Sequence, residues 1–170
     1  MLINIKHQHG VGLMEVLVAL LVLAIGVLGF IALQYRAVEA TSESTYRVQA
    51  INLARDLAER IRVNRGALAT YESELKTAAN QTTSAKNCFT GNCTLTELAD
   101  FDVSQVVTRA RSVGMAVNLV ACPGNNDGRN CVYVAWGDTA PLDGATNGEG
   151  NCTTSTAYDP ASTCLIMEVY

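Results

Sequence analysis

The chain divides into a long apolar stretch and a polar remainder. Residues 16–33 read VLVALLVLAIGVLGFIAL, eighteen positions without a charged side chain. In an α-helix this stretch rises about 27 Å at about 1.5 Å per residue, which is close to the roughly 30 Å hydrocarbon layer of a bilayer. The pattern therefore predicts a membrane-spanning helix over residues 11–33.

Helical spacing continues through residues 34–65, which contain no proline. The apolar positions of one face recur at intervals of three and four residues: Ala50, Leu53, Ala54, Leu57, Ala58 and Ile61. Charged side chains lie on the other faces of the helix. Asp56 and Arg60 form an i,i+4 ion pair, which stabilises a helix by only about 0.2–0.5 kcal/mol. We expect one helix over residues 11–65 that stops at Gly66 and presents its apolar stripe to a sheet.

Residues 66–170 form the predicted polar head, which begins with helical segments. A short helical turn is expected at 71–79. Thr94 or Thr96 is a helix-capping residue for a second segment that runs to about Ser112, with a break near Asp100.

The rest of the head has the alternation and β-branched content of strands. We expect three or four strands, which include residues 115–121, 131–136 and 164–169. The spans 123–130 and 137–161 are rich in turn residues and are predicted to be irregular loops. The predicted fold class is α+β.

Charge and histidine content exclude several classes of function. The chain has 12 basic and 16 acidic side chains, a formal net charge of -4, and no Lys/Arg cluster, so direct nucleic-acid binding is not expected. His7 and His9, the two histidines of the chain, lie before the apolar stretch. The head therefore has no Ser-His-Asp triad, Cys-His pair or histidine metal ligand, and we predict neither an enzyme nor a cofactor.

All six cysteines lie in the head, which fits an oxidising periplasm. They allow fifteen pairings, and we favour the near-neighbour scheme because it closes short loops where regular structure is weakest. Zinc binding is disfavoured because the head has neither a C-x-x-C motif nor a histidine. The favoured pairs are Cys88–Cys93, Cys122–Cys131 and Cys152–Cys164.

Two loops contain oxygen ligands that could bind calcium, at residues 124–130 and 143–149. Neither has EF-hand spacing, and turn formation by Asn, Asp and Gly accounts for both. No metal site is predicted.

Glu15 stands at the start of the apolar stretch and needs a positively charged partner. An unpaired charge at membrane depth costs about 2.5–3.5 kcal/mol. If the chain were cut after Gly10, the new amine on Val11 would lie about one helical turn from Glu15, in the same chain or in a neighbour whose register it would fix. The alternative is that Glu15 lies near the membrane surface and stays hydrated. Pairing with the amine and hydration are compatible with each other.

The segment GVGLMEVLVALL, residues 10–21, resembles the class III signal of type IV prepilins and pseudopilins. Residues 25–30, 49–65 and 131–137 further resemble the PilV family of minor pilins. The resemblance implies that a prepilin peptidase removes the leader 1–10 after Gly10 and N-methylates Val11. The family usually has Phe in place of Val11 and Thr or Ser in place of Gly12.

The same resemblance implies the fold, location and partners. The fold would be that of a type IV pilin: a helix with a membrane half (11–33) and an amphipathic half (34–65), packed on a small antiparallel sheet in the head (66–170). The chain would cross the inner membrane once, with lipid around its helix and its head in the periplasm, and then enter a surface pilus.

Its implied role is that of a minor pilin that primes assembly at or near the tip. It would bind the major pilin, other minor pilins and a tip adhesin, and so support adhesion, twitching motility or DNA uptake. A minor pseudopilin of a type II secretion system is the alternative. A membrane-tethered enzyme or ligand-binding module is a more remote one.

Overall fold

The computed structural model describes residues 12–125, 127–144, 150–155 and 157–169. Helix α1, Leu13–Val63, is a continuous helix of 51 residues. The chain divides into two compact units, Met1–Ser44 and Thr45–Tyr170, so that α1 contributes to both. A 3-10 turn, Arg65–Ala67, and helices α2, Leu68–Lys76, and α3, Leu95–Ser112, follow.

Helix α1 ends before Gly66, so the predicted stop at that residue was wrong. Asn64 leaves the helical conformation with φ -116° and ψ 47°, and its side-chain Nδ2 donates a 2.7 Å hydrogen bond to the carbonyl of Leu95. This side-chain bond to a distant backbone group offers Asn64 an alternative to the helix. Gly66 lies in the 3-10 turn instead.

Helix α3 begins after Thr94, one of the two predicted caps. Thr94 accepts a hydrogen bond from the backbone of Glu97 and the Glu97 carboxylate accepts one from Thr94 N, so the two residues form a capping box. The expected break near Asp100 was wrong. The Asp100 carboxylate accepts a hydrogen bond from the backbone N–H of Ala85 rather than competing for groups of its own helix.

The main sheet has the order β1-β2-β6 and both of its strand pairs are antiparallel. Its strands are β1, Met115–Ala121, β2, Asn130–Trp136, and β6, Cys164–Val169. Every residue of the central strand β2 is buried. The predicted α+β class with a helix on a small antiparallel sheet is confirmed.

The predicted apolar stripe of α1 is buried at all six positions. It joins one core with side chains of α2, α3 and the main sheet. The largest of these side chains are Leu57, Ile61, Tyr71, Leu75, Leu119, Val132 and Val134. At the end of the stripe nearest residue 45, the ring of Tyr46 stacks on Trp136, with centroids 6.4 Å apart.

A second sheet lies in the span 137–161, which was predicted wrongly to be irregular. It consists of β3, Ala140–Gly144, β4, Asn151–Thr154, and β5, Ala157–Tyr158. The β3–β4 pair is parallel and the β4–β5 pair is antiparallel. These strands are short and carry Pro, Gly and Thr in place of apolar alternation, so the local sequence resembles that of a loop.

Candidate functional site

The most distinctive surface of the chain is the apolar part of α1. Between Val16 and Leu33, large apolar side chains are 46% to 73% exposed. Among the described residues α1 is the one helix long and apolar enough to cross a membrane. Such a surface requires lipid or other apolar helices around it.

Glu15 lies in the first turn of α1, with its side chain on the surface. Its backbone N–H donates a 3.0 Å hydrogen bond to the carbonyl of Gly12. A carboxylate at this position is stabilised by the positive end of the helix dipole. Gly10 and Val11, the predicted cleavage and methylation positions, lie outside the described residues.

A cluster of charged and hydroxyl side chains joins α1 to the two helices of the head, α2 and α3. Arg60 of α1 donates to Asp56 through Nε at 2.8 Å and to Asp102 of α3 through Nη1 at 2.5 Å. The Tyr71 hydroxyl of α2 donates to the other oxygen of Asp102 at 2.6 Å. Arg109 of α3 completes the cluster with a 2.7 Å bond to Asp56.

Burial makes this cluster electrostatically strong. The Asp102 side chain is 9% exposed and that of Arg60 27%. Burial, together with the Asp102 carboxylate, raises the pKa of Tyr71 well above its ordinary value. Burial opposes the charge of Arg60, but bonds to Asp56 and Asp102 outweigh it and raise the pKa of that guanidinium. The hydrogen bonds thus keep Arg60 charged and Tyr71 neutral, which suits a structural tie between helices.

Sequence reasoning recognised only one contact of this cluster, the helical pair Asp56 with Arg60. The contacts of Asp102 with Arg60 and Tyr71 span 42 and 31 residues, so no local spacing reveals them. The available signal was Asp102 itself, a carboxylate flanked by Phe101 and Val103 in an apolar part of α3.

Three disulfides join the six cysteines of the head in the near-neighbour pairs. The bonds are Cys88–Cys93, Cys122–Cys131 and Cys152–Cys164, with Cα–Cα distances of 5.7, 5.0 and 5.6 Å. The second bond connects the ends of β1 and β2, and the third connects β4 of the second sheet to β6 of the main sheet. The two sheets are therefore linked covalently.

Asp127 and Asp143, the described acidic residues of the two loops considered for calcium, are engaged within the chain. Asp127 pairs with Arg129 at 2.9 Å. Asp143 accepts hydrogen bonds from the Thr153 hydroxyl and the Ser155 backbone at 2.6 and 2.9 Å. Residues 126 and 145–149 lie outside the described part. Within that part, no group of three or more His, Cys, Asp or Glu side chains is arranged to hold a metal ion.

Comparisons with known proteins agree with the two parts of the chain. A model of the prokaryotic N-terminal methylation motif matches residues 5–31, which include Gly10 and Glu15. The model described as Type IV pilin Tt1218, for the Tt1218-like family, matches residues 32–104. No curated protein and no solved structure has a significant match to the sequence.

The two matches are adjacent and together cover the apolar helix, its amphipathic continuation and the first two elements of the head. Type IV pilins are structural subunits and not enzymes. The chain therefore carries the prokaryotic N-terminal methylation motif and is similar to the type IV pilin Tt1218 family over residues 32–104.

Proposed function

We propose that this protein is a minor pilin of the PilV type, which joins other minor pilins to prime a type IV pilus at or near its tip. The observation that carries the proposal is the methylation motif at residues 5–31, continuous with a helix whose apolar side chains are exposed from Val16 to Leu33. A helix with that surface needs lipid before assembly and neighbouring helices after it.

Processing follows from the motif. A prepilin peptidase removes residues 1–10, and the mature chain starts with an N-methylated Val11. The apolar helix 11–33 holds the chain in the inner membrane, the amphipathic part 34–65 continues it, and the head 66–170 lies in the periplasm. The three disulfides of the head suit that oxidising compartment.

Glu15 has a separate role in assembly. Within a bundle of apolar helices, Glu15 pairs with the terminal amine of Val11 in its own chain or in an adjacent subunit. Helices that are apolar on all sides slide easily against one another, whereas one buried charge pair fixes their axial register.

Mass spectrometry of the protein recovered from membranes tests the processing. The wild-type protein should begin at methylated Val11, and Gly10→Leu should retain residues 1–10. Peptide mapping without reduction should recover the three near-neighbour disulfides from both proteins. A Gly10→Leu chain that still begins at Val11 would contradict the cleavage site.

Deletion of the gene tests the role in pili. The yield of sheared surface pili should fall sharply and return with the wild-type gene, but not with Gly10→Leu. In a host that also has a type II secretion system, secretion of folded enzymes should stay unchanged. Normal pili with impaired secretion would assign the chain to a pseudopilus, the alternative from the same class.

A further inference from the structure

Helix α1 contains a hydroxyl segment, residues 41–45, which reads TSEST. Its side chains are exposed apart from that of Glu43, which is half-buried. Serine and threonine are weaker helix formers than alanine, because their side chains compete for backbone groups or lose rotamer freedom in a helix. The hydroxyl segment is therefore an intrinsically weak part of a helix that is 51 residues long.

Hydroxyl groups of this segment bond back to the helix itself. Thr41 Oγ1 donates a 2.8 Å hydrogen bond to the carbonyl of Ala37. Ser44 Oγ donates in the same way to the carbonyl of Ala40 at 2.9 Å, and Ser42 Oγ donates at 2.8 Å to the carbonyl three residues before it. Back-bonding of this kind slightly destabilises helices and often bends them. The segment concentrates such bonds within four consecutive residues.

The helix is supported on both sides of the hydroxyl segment but not within it. The apolar stretch ends at Leu33, and the first buried side chain of α1 is that of Ala50. The first of the two compact units ends at Ser44, inside the segment. An isolated helix of about fifteen residues is marginal in water even when it is rich in alanine. Residues 34–49 therefore depend on the helix that continues on either side of them.

Gly26 and Gly29 lie within the apolar stretch, where opening of the helix is costly. Lipid offers no water to the N–H and C=O groups that opening would free. The hydroxyl segment begins eight residues beyond Leu33, or about 12 Å along the helix. There, water and the hydroxyl groups of the segment can bond the freed groups. Residues 41–45 are consequently a better place to bend than the two glycines.

We propose that the hydroxyl segment is a flexible joint of α1, at which the helix bends and transiently opens. Motion at the joint leaves intact the core that begins at Ala50, and it does not change the apolar surface from Val16 to Leu33. The head can therefore change its direction and meet partner subunits while the apolar helix stays in lipid. The joint does not depend on whether the chain serves a pilus or a secretion system.

Hydrogen exchange of the full-length protein in detergent micelles, followed by mass spectrometry, tests the opening. Amides of residues 41–48 should exchange at least about a hundredfold faster than those of residues 53–61, which include most of the buried stripe. Equal protection of the two ranges would overturn the joint.

Alanine substitutions test whether the hydroxyl groups cause the opening. Thr41→Ala, Ser42→Ala and Ser44→Ala combined should slow exchange at 41–48 about tenfold, because alanine is the better helix former at all three positions. Ser73→Ala with Thr77→Ala is the matched control, since it removes two hydroxyls that bond back in α2. The control should leave exchange at 41–48 unchanged. Unchanged exchange in the triple variant as well would refute the role of the hydroxyl groups.

Distances between two spin labels test the bending. The six native cysteines are joined in disulfides, so cysteines introduced at the exposed positions 28, 48 and 63 can be labelled selectively. The pair 28/48 spans the joint and the pair 48/63 does not, with about 30 and 22 Å expected along a straight helix. Pulsed electron paramagnetic resonance should give a broader distance distribution for 28/48, which the triple alanine variant narrows. Equal widths for the two pairs in the wild-type protein would contradict the joint.

Discussion

The hydrogen-bonded cluster around Asp102 should carry a large share of the stability of the head, which makes Asp102→Ala the most informative substitution. The carboxylate accepts a 2.5 Å bond from Arg60 and a 2.6 Å bond from Tyr71. Its removal leaves a partly buried guanidinium with Asp56 as its remaining carboxylate, and a buried phenol without its main acceptor.

The expected cost follows from these contacts. Removal of one partner from a buried, hydrogen-bonded ion pair typically destabilises a protein by about 3–5 kcal/mol. Tyr71→Phe removes a single bond to a charged group and should cost about 1.5–3 kcal/mol. The two substitutions share one bond, so the double variant should be more stable than the sum of the single costs predicts, by about 1–3 kcal/mol.

Thermal or denaturant unfolding of the full-length protein in detergent measures these costs. Trp136, the single tryptophan of the chain, is 5% exposed and stacked on Tyr46, so its fluorescence reports loss of the core. Asp127→Ala is the matched control: it removes an exposed ion pair with Arg129 and should cost less than about 1 kcal/mol. Equal costs for Asp102→Ala and Asp127→Ala, or additive effects in the double variant, would refute the role of the cluster.

Two further predictions concern alkaline pH and the disulfides. The pKa of Tyr71 is raised in the folded state, so its contribution to the free energy of unfolding is complete below the ordinary tyrosine pKa of about 10 and falls above it by up to about 1.4 kcal/mol per pH unit. The free energy of unfolding of Tyr71→Phe should therefore fall less steeply with pH in the alkaline range, and an identical dependence in the two proteins would contradict the raised pKa. Replacing both cysteines of the Cys152–Cys164 bond by Ala should cost about 3 kcal/mol, against about 2 kcal/mol for the Cys88–Cys93 bond, because the longer loop gains more freedom when unfolded. Unfolding midpoints of the two double variants at neutral pH measure these losses of stability. A larger loss for the Cys88–Cys93 variant would show that loop length does not determine how much a disulfide stabilises the head.

Local patterns predicted most of the elements. The stripe from Ala50 to Ile61 was predicted correctly because helical periodicity is visible in neighbouring residues. Of the two predicted caps, Thr94 and Thr96, the structure shows Thr94, whose partner Glu97 is only three positions away. Strands β1 and β6 were predicted at their observed bounds from β-branched and apolar content alone.

The errors fall where distant contacts determine the structure. Val63 ends α1 because the next residue, Asn64, bonds to Leu95, 31 positions away. The second sheet depends on Asp143, which accepts from Thr153, and on the bond between Cys152 and Cys164. The Arg60–Asp102 contact likewise spans 42 positions. Near-neighbour spacing favoured the Cys152–Cys164 bond, but the other pairings leave no signal in a short window of sequence.

The apolar surface of α1 also constrains how assembly can be driven. Thirteen large apolar side chains between Val16 and Leu33 are exposed over roughly half to three quarters of their surface. At about 1.5–3 kcal/mol for each full side chain, burying that exposed part is worth roughly 10–25 kcal/mol. That exceeds the 5–15 kcal/mol that typically stabilises a folded domain, so the helix is held either in lipid or among other helices. Lipid tails and leucine side chains are similarly apolar, and transfer from one to the other therefore gains little. Under the proposed function, the free energy that selects the filament and its register must come from close helix packing and from polar contacts, and Glu15 is the acidic side chain available for such a contact in the first turn of the helix.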